Sequence, residues 1–332
     1  MRLLNPIVKH FHCLICFAIV LAFISCNSKP KEKPKMDQTI QGELIIFHAG
    51  SLSVPFKQIA DSFQQVYPEV TVKREAAGSV DCARKITDLN READIMASAD
   101  YKVIQKLLIP GYTSWLIKFA ANEMTLVYDD DSKYADEINQ QNWMDILLRE
   151  DVYYGRSDPD SDPCGYRTVI ASELAEKYYK RKGFSKSLLA KDQNFIRPKE
   201  TDLIALLESN ALDYIFLYRS VARQHGLKYI SLPDSVNLGN PDLKEFYSKA
   251  SVQIDGKKPG ETLEMKGEPM VYGVTKLKNA PNPKAAEAFL QFLLLDQKGL
   301  KMMEENGQPP LVPASTSTYP NIPKALRKFA KE

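Results

Sequence analysis

Apolar residues change their spacing several times along the chain, and each change marks an element. Residues 44–47 (LIIF) form an unbroken apolar run of the length that fills a strand buried on both faces, ending at His48-Ala49-Gly50-Ser51. Val54, Phe56, Ile59, Ala60, Phe63 and Val66 then recur at helical spacing and predict an amphipathic helix, which Pro68 stops. Residues 70–72 (VTV) predict a second strand that runs out into Glu75-Ala76-Ala77-Gly78-Ser79. A helix over 80–89 follows, and 93–97 reads as a third strand. Strand–loop–helix alternation of this kind builds a parallel α/β sheet.

A crossing point is predicted near Asn122, where residues 123–128 (EMTLVY) read as a longer strand matched late in the chain by 269–274 (PMVYGV). Between them lies a second block: a helix over 143–148, a strand at 152–155, helices over 166–182 and 201–209, and a strand at 214–218. Helices over 283–294 and 297–306 then return to the first block. The fold class expected is α/β with two lobes, each a mixed, mainly parallel sheet flanked by helices. One lobe comprises 42–122 plus 275–332 and the other 123–274, with the two crossing strands as hinge and a cleft between. No internal repeat suggests a solenoid.

The first residues stand apart. Arg2, Lys9 and His10 form a weakly basic start, an apolar run covers 14–24, and Ser25-Cys26 follows. The run is shorter than the roughly 20 residues of a permanent membrane span and matches a signal-peptide core. Cysteine after a small residue at its end resembles a bacterial lipobox, from which Phe23 and Ile24 depart. One reading is a signal at 1–25, acylated Cys26, and a Pro- and Lys-rich tether over 26–41 holding an exported domain to a membrane that faces the periplasm. The other is an ordinary signal peptide with Cys26 incidental.

Composition narrows the partners. The 332 residues are 44% hydrophobic and 26% charged, and 44 basic residues against 42 acidic ones leave a net charge of +2. No broad positive field invites nucleic acid. Of five cysteines, Cys13 and Cys16 leave with the signal and, if Cys26 is acylated, only Cys82 and Cys164 remain, as a disulfide or as buried thiols. Four scattered histidines are too few for a zinc site.

The informative feature is where Gly and Ser fall. Gly50-Ser51 follows the first strand and Gly78-Ser79 the second, each directly before a helix. Open parallel sheets place ligands at the carboxyl ends of their strands, and a helix start offers unpaired N–H groups to an anion. The bland reading of each serine is a helix cap; two of them on successive strand ends favour a shared anion cradle. The second block adds the loop 157–167 (SDPDSDPCGYR), whose aspartates suit turns, a helix cap or calcium, although the EF-hand spacing is absent.

The strings FHAGSLSVPF, REAAGSV, ADIMASADY, DPCGYRT, DYIFLYRSVARQHGLKYISLP and GQPPLVP closely resemble the tungstate/molybdate-binding proteins of ABC transporters, in the branch common in archaea and found in some bacteria. The resemblance covers 44–313. It implies the bilobed periplasmic-binding fold (type II), with the oxyanion held by Ser51, Ser79 and Tyr218 and its metal met by two carboxylates of the second lobe, Asp162 and Glu200. Asp202 and Glu208 compete for the place of Glu200, because that stretch matches by pattern more than by identity. Facing a dianion, a carboxylate about 4 Å away repels it by about 4 kcal/mol at an effective dielectric near 20, which defeats a sulfate or phosphate site. Tungsten and molybdenum accept further oxygen ligands, so the same carboxylates attract these oxyanions and reject the others.

The expectation is a monomeric receptor, not an enzyme and without a cofactor. It would deliver tungstate or molybdate to an ABC permease and ATPase, touching the membrane by its lipid anchor only. Rival readings are a binding protein for sulfate, phosphate or ferric iron, an exported hydrolase using Ser51 or Ser79, and a receptor that has lost binding. His48 is expected in packing or hydrogen bonding, Arg167 either bracing the aspartate loop or in a surface salt bridge, and Trp115 and Trp143 in the core.

Overall fold

The computed structural model describes residues 40–258 and 260–332, which form one compact unit. The signal segment 1–25, Cys26 and most of the tether lie outside the described residues. Strand β1 (Gly42–Ala49) buries Leu44, Ile46 and Phe47 completely. Helix α1 (Ser53–Val66) turns Phe56, Ile59 and Phe63 inward; each such burial contributes about 1.5–3 kcal/mol. Strand β2 (Val70–Ala77) runs parallel to β1 along its whole length, and helix α2 (Ser79–Thr87) follows. Strand β3 (Ile95–Ser98) lies parallel on the other side of β1, so the first three strands end together at one edge.

After β4 (Ile117–Ala121) the chain crosses at Asn122 into β5 (Met124–Tyr128) of a second sheet. That sheet takes β6 (Tyr154–Ser157), then, beyond helix α3 (Pro163–Tyr178), β7 (Ile196–Arg197), β8 (Tyr214–Tyr218) and β9 (Lys228–Ser231), in the order β7-β6-β8-β5-β9. A hairpin of β10 (Ser251–Asp255) and β11 (Thr262–Lys266) precedes the return strand β12 (Val271–Lys276) and helix α4 (Pro283–Leu293). The first sheet has the order β2-β1-β3-β12-β4.

Two expectations change. Strand β12 is hydrogen-bonded between β3 and β4, pairing Gly273 with Ser98 and Val274 with Ala97. The chain therefore re-enters the first lobe by Val271, and the boundary expected at 274/275 moves back. The sheets are also evenly mixed, each with two parallel and two antiparallel pairings. The reason is the crossing itself: β5 and β12, the strands that follow a change of lobe, run antiparallel to both neighbours.

Trp115 and Trp143 are core residues, and Trp143 packs edge-on against Phe184 and Phe216. Cys82 and Cys164 are buried free thiols, each against a backbone carbonyl (His48 and Phe216).

Candidate oxyanion site between the lobes

Both serines sit where the strand-end argument puts them, and neither is a helix cap. Ser51 lies in a single 3-10 turn, Gly50–Leu52, after β1; Ser79 is the first residue of α2, behind Gly78. Their hydroxyls point elsewhere. Ser51 Oγ accepts a hydrogen bond from Tyr272 Oη at 3.0 Å, and Ser79 Oγ accepts one from the Ala99 N–H at 3.0 Å. Tyr218, the last residue of β8, has its Oη 3.1 Å from Arg167 Nη1, which donates to it. All three hydroxyl-bearing residues are buried.

The two acids come together from the second lobe. Asp162 caps α3, its Oδ1 accepting the Cys164 N–H at 3.2 Å, with Pro163 pre-set for the first helical position. Its Oδ2 accepts the N–H of Glu200 at 3.0 Å. Glu200 opens the short turn Glu200–Leu203 and is fully buried. Across the cleft its carboxylate presses on Gly50, where an added Cβ would lie 2.9 Å from Oε2. Of the three acids weighed for this place only Glu200 is buried: Asp202 is half-exposed beside Lys199, and Glu208 is exposed.

Neither oxygen of Glu200 has a hydrogen-bond partner. A buried carboxylate in that position is costly, and the titration of the pair records it. Burial pushes Glu200 well above its ordinary range, and the neighbouring Asp162 raises it further; the nearby N–H groups of Glu200 itself and Ser51, neither aligned for a hydrogen bond, temper the rise. Burial also raises Asp162, against hydrogen bonds from the Cys164 and Glu200 N–H groups. As two carboxylates the pair has no hydrogen to share. A single proton held between the two acids lowers the cost of burying them together.

The lobes are held closed around this point by contacts the sequence reasoning missed. Asp100, beyond β3, accepts from Tyr166 Oη at 2.7 Å and pairs with Arg167 Nη2 at 3.2 Å; all three are buried. Arg167 also donates to the Ala99 carbonyl at 2.9 Å. It is therefore neither a surface salt bridge nor a brace for the aspartate loop, but a bridge from the second lobe into the first. The Val80 and Asp81 N–H groups at the start of α2 both donate to the Ser161 carbonyl, at 3.1 and 3.2 Å. Those donors of the expected anion cradle are spent on the opposite lobe.

The rival chemistries find little support. Asp158 accepts the Asp160 N–H and Asp160 accepts the Asp255 N–H, which commits the loop aspartates to backbone. Among the described residues no cluster of three or more His, Cys, Asp or Glu could hold a metal ion. The hydroxyls of Tyr166 and Tyr218 are engaged by Asp100 and Arg167. His48 donates from Nδ1 to the Ala49 carbonyl at 2.8 Å, packs on Phe56, and is pushed down to about 4 by burial. It is a packing residue, as expected, and no base for either serine.

Two lobes joined by paired crossings, with buried polar groups converging from both, define a solute-binding protein. The chain belongs to the bacterial extracellular solute-binding protein family, whose model matches residues 44–307. It is 52% identical to an uncharacterized solute-binding protein of Petrotoga mobilis over 89% of this chain and 92% of that one. It is 44% identical to the molybdate/tungstate-binding protein WtpA of Pyrococcus abyssi, over 86% and 89%. The periplasmic molybdate-binding protein of Azotobacter vinelandii has the same fold, with a TM-score of 0.58 at 16% identity over 80% of this chain and 98% of that chain.

Proposed function

We propose that this protein captures tungstate or molybdate between its lobes and delivers it to an ABC permease and its ATPase. Asp162 and Glu200 bond the metal and raise its coordination from four oxygens toward six. Ser51, Ser79 and Tyr218 donate to the oxo groups. The observation that carries this reading is the pair of partnerless Glu200 oxygens, buried beside a second carboxylate. Sulfate offers them only repulsion. Hydrogenphosphate brings one O–H, which satisfies one of several free acceptors and leaves the rest facing a dianion. An electron-poor metal centre is the partner that uses both acids. The name carried by the Pyrococcus abyssi relative supports the same cargo.

In this reading the protein is exported, monomeric and non-catalytic, and is tethered through acylated Cys26. Calorimetric titration of a chain beginning at residue 40 tests the cargo. One-to-one binding of tungstate and molybdate, with silence from sulfate and phosphate, is the expected result. Binding of sulfate or phosphate in their place would overturn metal coordination, and no binding by any of the four would indicate a receptor that has lost its cargo.

A further inference from the structure

The three hydroxyl groups of the site share a property that none of them sets for itself. Each already accepts a hydrogen bond from a fixed donor: Ser79 from the Ala99 N–H, Tyr218 from Arg167, and Ser51 from Tyr272. A hydroxyl carries one proton. When an immovable donor occupies its oxygen, that proton is left to point elsewhere.

For Ser51 the direction can be traced to its origin. Asn122 Oδ1 accepts the backbone N–H groups of Glu123 and Ser220, at 3.0 and 3.4 Å. Backbone N–H groups can only donate, so the amide is fixed with its NH2 pointing the other way. That NH2 donates to Ser220 Oγ at 2.7 Å and to Tyr272 Oη at 2.9 Å. Tyr272 Oη thus accepts from Asn122 and has a single proton to give, which goes to Ser51 Oγ at 3.0 Å. Ser51 itself is anchored by Gln308 Nε2, which donates to its carbonyl at 2.9 Å. Asn122, Ser220, Tyr272 and Gln308 are all buried, so water is not available to reverse the order.

We propose that Tyr272, oriented by Asn122, is a positioning and specificity-determining residue that locks Ser51 as a donor toward the bound oxyanion. The site then reads oxygens that are acceptors only, the chemistry of a fully deprotonated oxyanion, and it does so from the hinge. Asn122 is the residue of the first crossing, and Tyr272 follows the second by one position. The inference rests on the oxyanion reading of the cleft.

The test is a set of variants titrated with molybdate: Tyr272→Phe, Ser51→Ala, the double variant, and Asn122→Asp. Tyr272→Phe should weaken binding about tenfold to a hundredfold, the scale of one hydrogen bond to a charged group. In the Ser51→Ala background it should add less than about twofold, because the hydroxyl it directs is gone. Asn122→Asp replaces the donor by an acceptor, captures the Tyr272 proton, and should reproduce Tyr272→Phe. A merely structural tyrosine would give additive losses with Ser51→Ala, and that result overturns the proposal, as does full affinity in Tyr272→Phe. If the unaltered chain binds neither molybdate nor tungstate, the cargo reading fails by itself. The direction of the chain is then read by proton NMR: a Tyr272 hydroxyl proton close to the Ser51 β-protons supports it, and one remote from them refutes it.

Discussion

Glu200→Gln separates two effects that the buried carboxylate exerts together. Glutamine keeps the shape, and its NH2 can donate to Asp162 where the acid needs a proton. Closing the lobes without cargo favours the protonated acid at Glu200, whose pKa is raised well above the ordinary 4.5 by burial and then by Asp162. In the open, solvated cleft it ionises normally. Holding a proton at pH 7 on such a group costs at most about 3.4 kcal/mol, or roughly three-hundredfold in population against empty closure. The closed form binds more protons than the open one. Empty closure is therefore unopposed below about pH 4.5 and is increasingly penalised as the pH rises toward the raised value. In the Glu200→Gln variant the penalty is absent at every pH. Distance between dyes on the two lobes, followed in cargo-free protein, should show Glu200→Gln more closed than the wild type near pH 8 and matching it near pH 4.5. Molybdate affinity should fall at least a hundredfold in the same variant. Equal closure of both proteins across that range would refute the argument, because the acid pair would then impose no cost.

Gly78→Ala drives a Cβ into the Ser161 carbonyl of the opposite lobe. It should leave the far-ultraviolet circular dichroism unchanged while weakening molybdate binding tenfold or more; an unaltered affinity would show that the lobes need not meet there. Asp100→Asn strips the charge from a buried ion pair and leaves Arg167 uncompensated, a loss of about 3–5 kcal/mol confined to the closed form. Stopped-flow measurements should show faster release of cargo with little change in capture. Burial pushes Cys82 up to about 12 and Cys164 well above its usual range, so a thiol reagent should find none in the native chain from residue 40 and two after denaturation.

The strand ends were legible because apolar runs and Gly-Ser punctuation are local signals. Ser51 and Ser79 follow from them; Asp162 and Glu200 come from the family resemblance, and only burial sets Glu200 apart from Asp202 and Glu208. Other features depend on partners that periodicity does not encode. The apolar pattern of 271–274 marks a strand but not the sheet that receives it. Arg167 looks like a surface residue one turn into a helix until Asp100 arrives from the other lobe. Asp100 itself carried a usable signal, since it follows the third parallel strand at the same sheet edge as the two serines. The bland alternative of a helix cap fails for both serines because the cap positions fall on Ala49 and Gly78, and Tyr272 and the Ala99 N–H engage the serine oxygens instead. Likewise the α2 N–H groups looked free because Ser161, their acceptor, comes from the other lobe and lies far along the chain.

The partnerless Glu200 also bears on how a transporter avoids waste. A permease that responds to the closed outline of its receptor is deceived whenever an empty receptor closes, and each deception spends ATP without moving cargo. If empty closure costs the acid pair a proton, as proposed, those false arrivals are suppressed at neutral pH, and an ion bonding both carboxylates would remove the penalty. The closed shape then reports a loaded receptor, and the fidelity of that report is set inside the cleft, out of reach of the surface the permease touches.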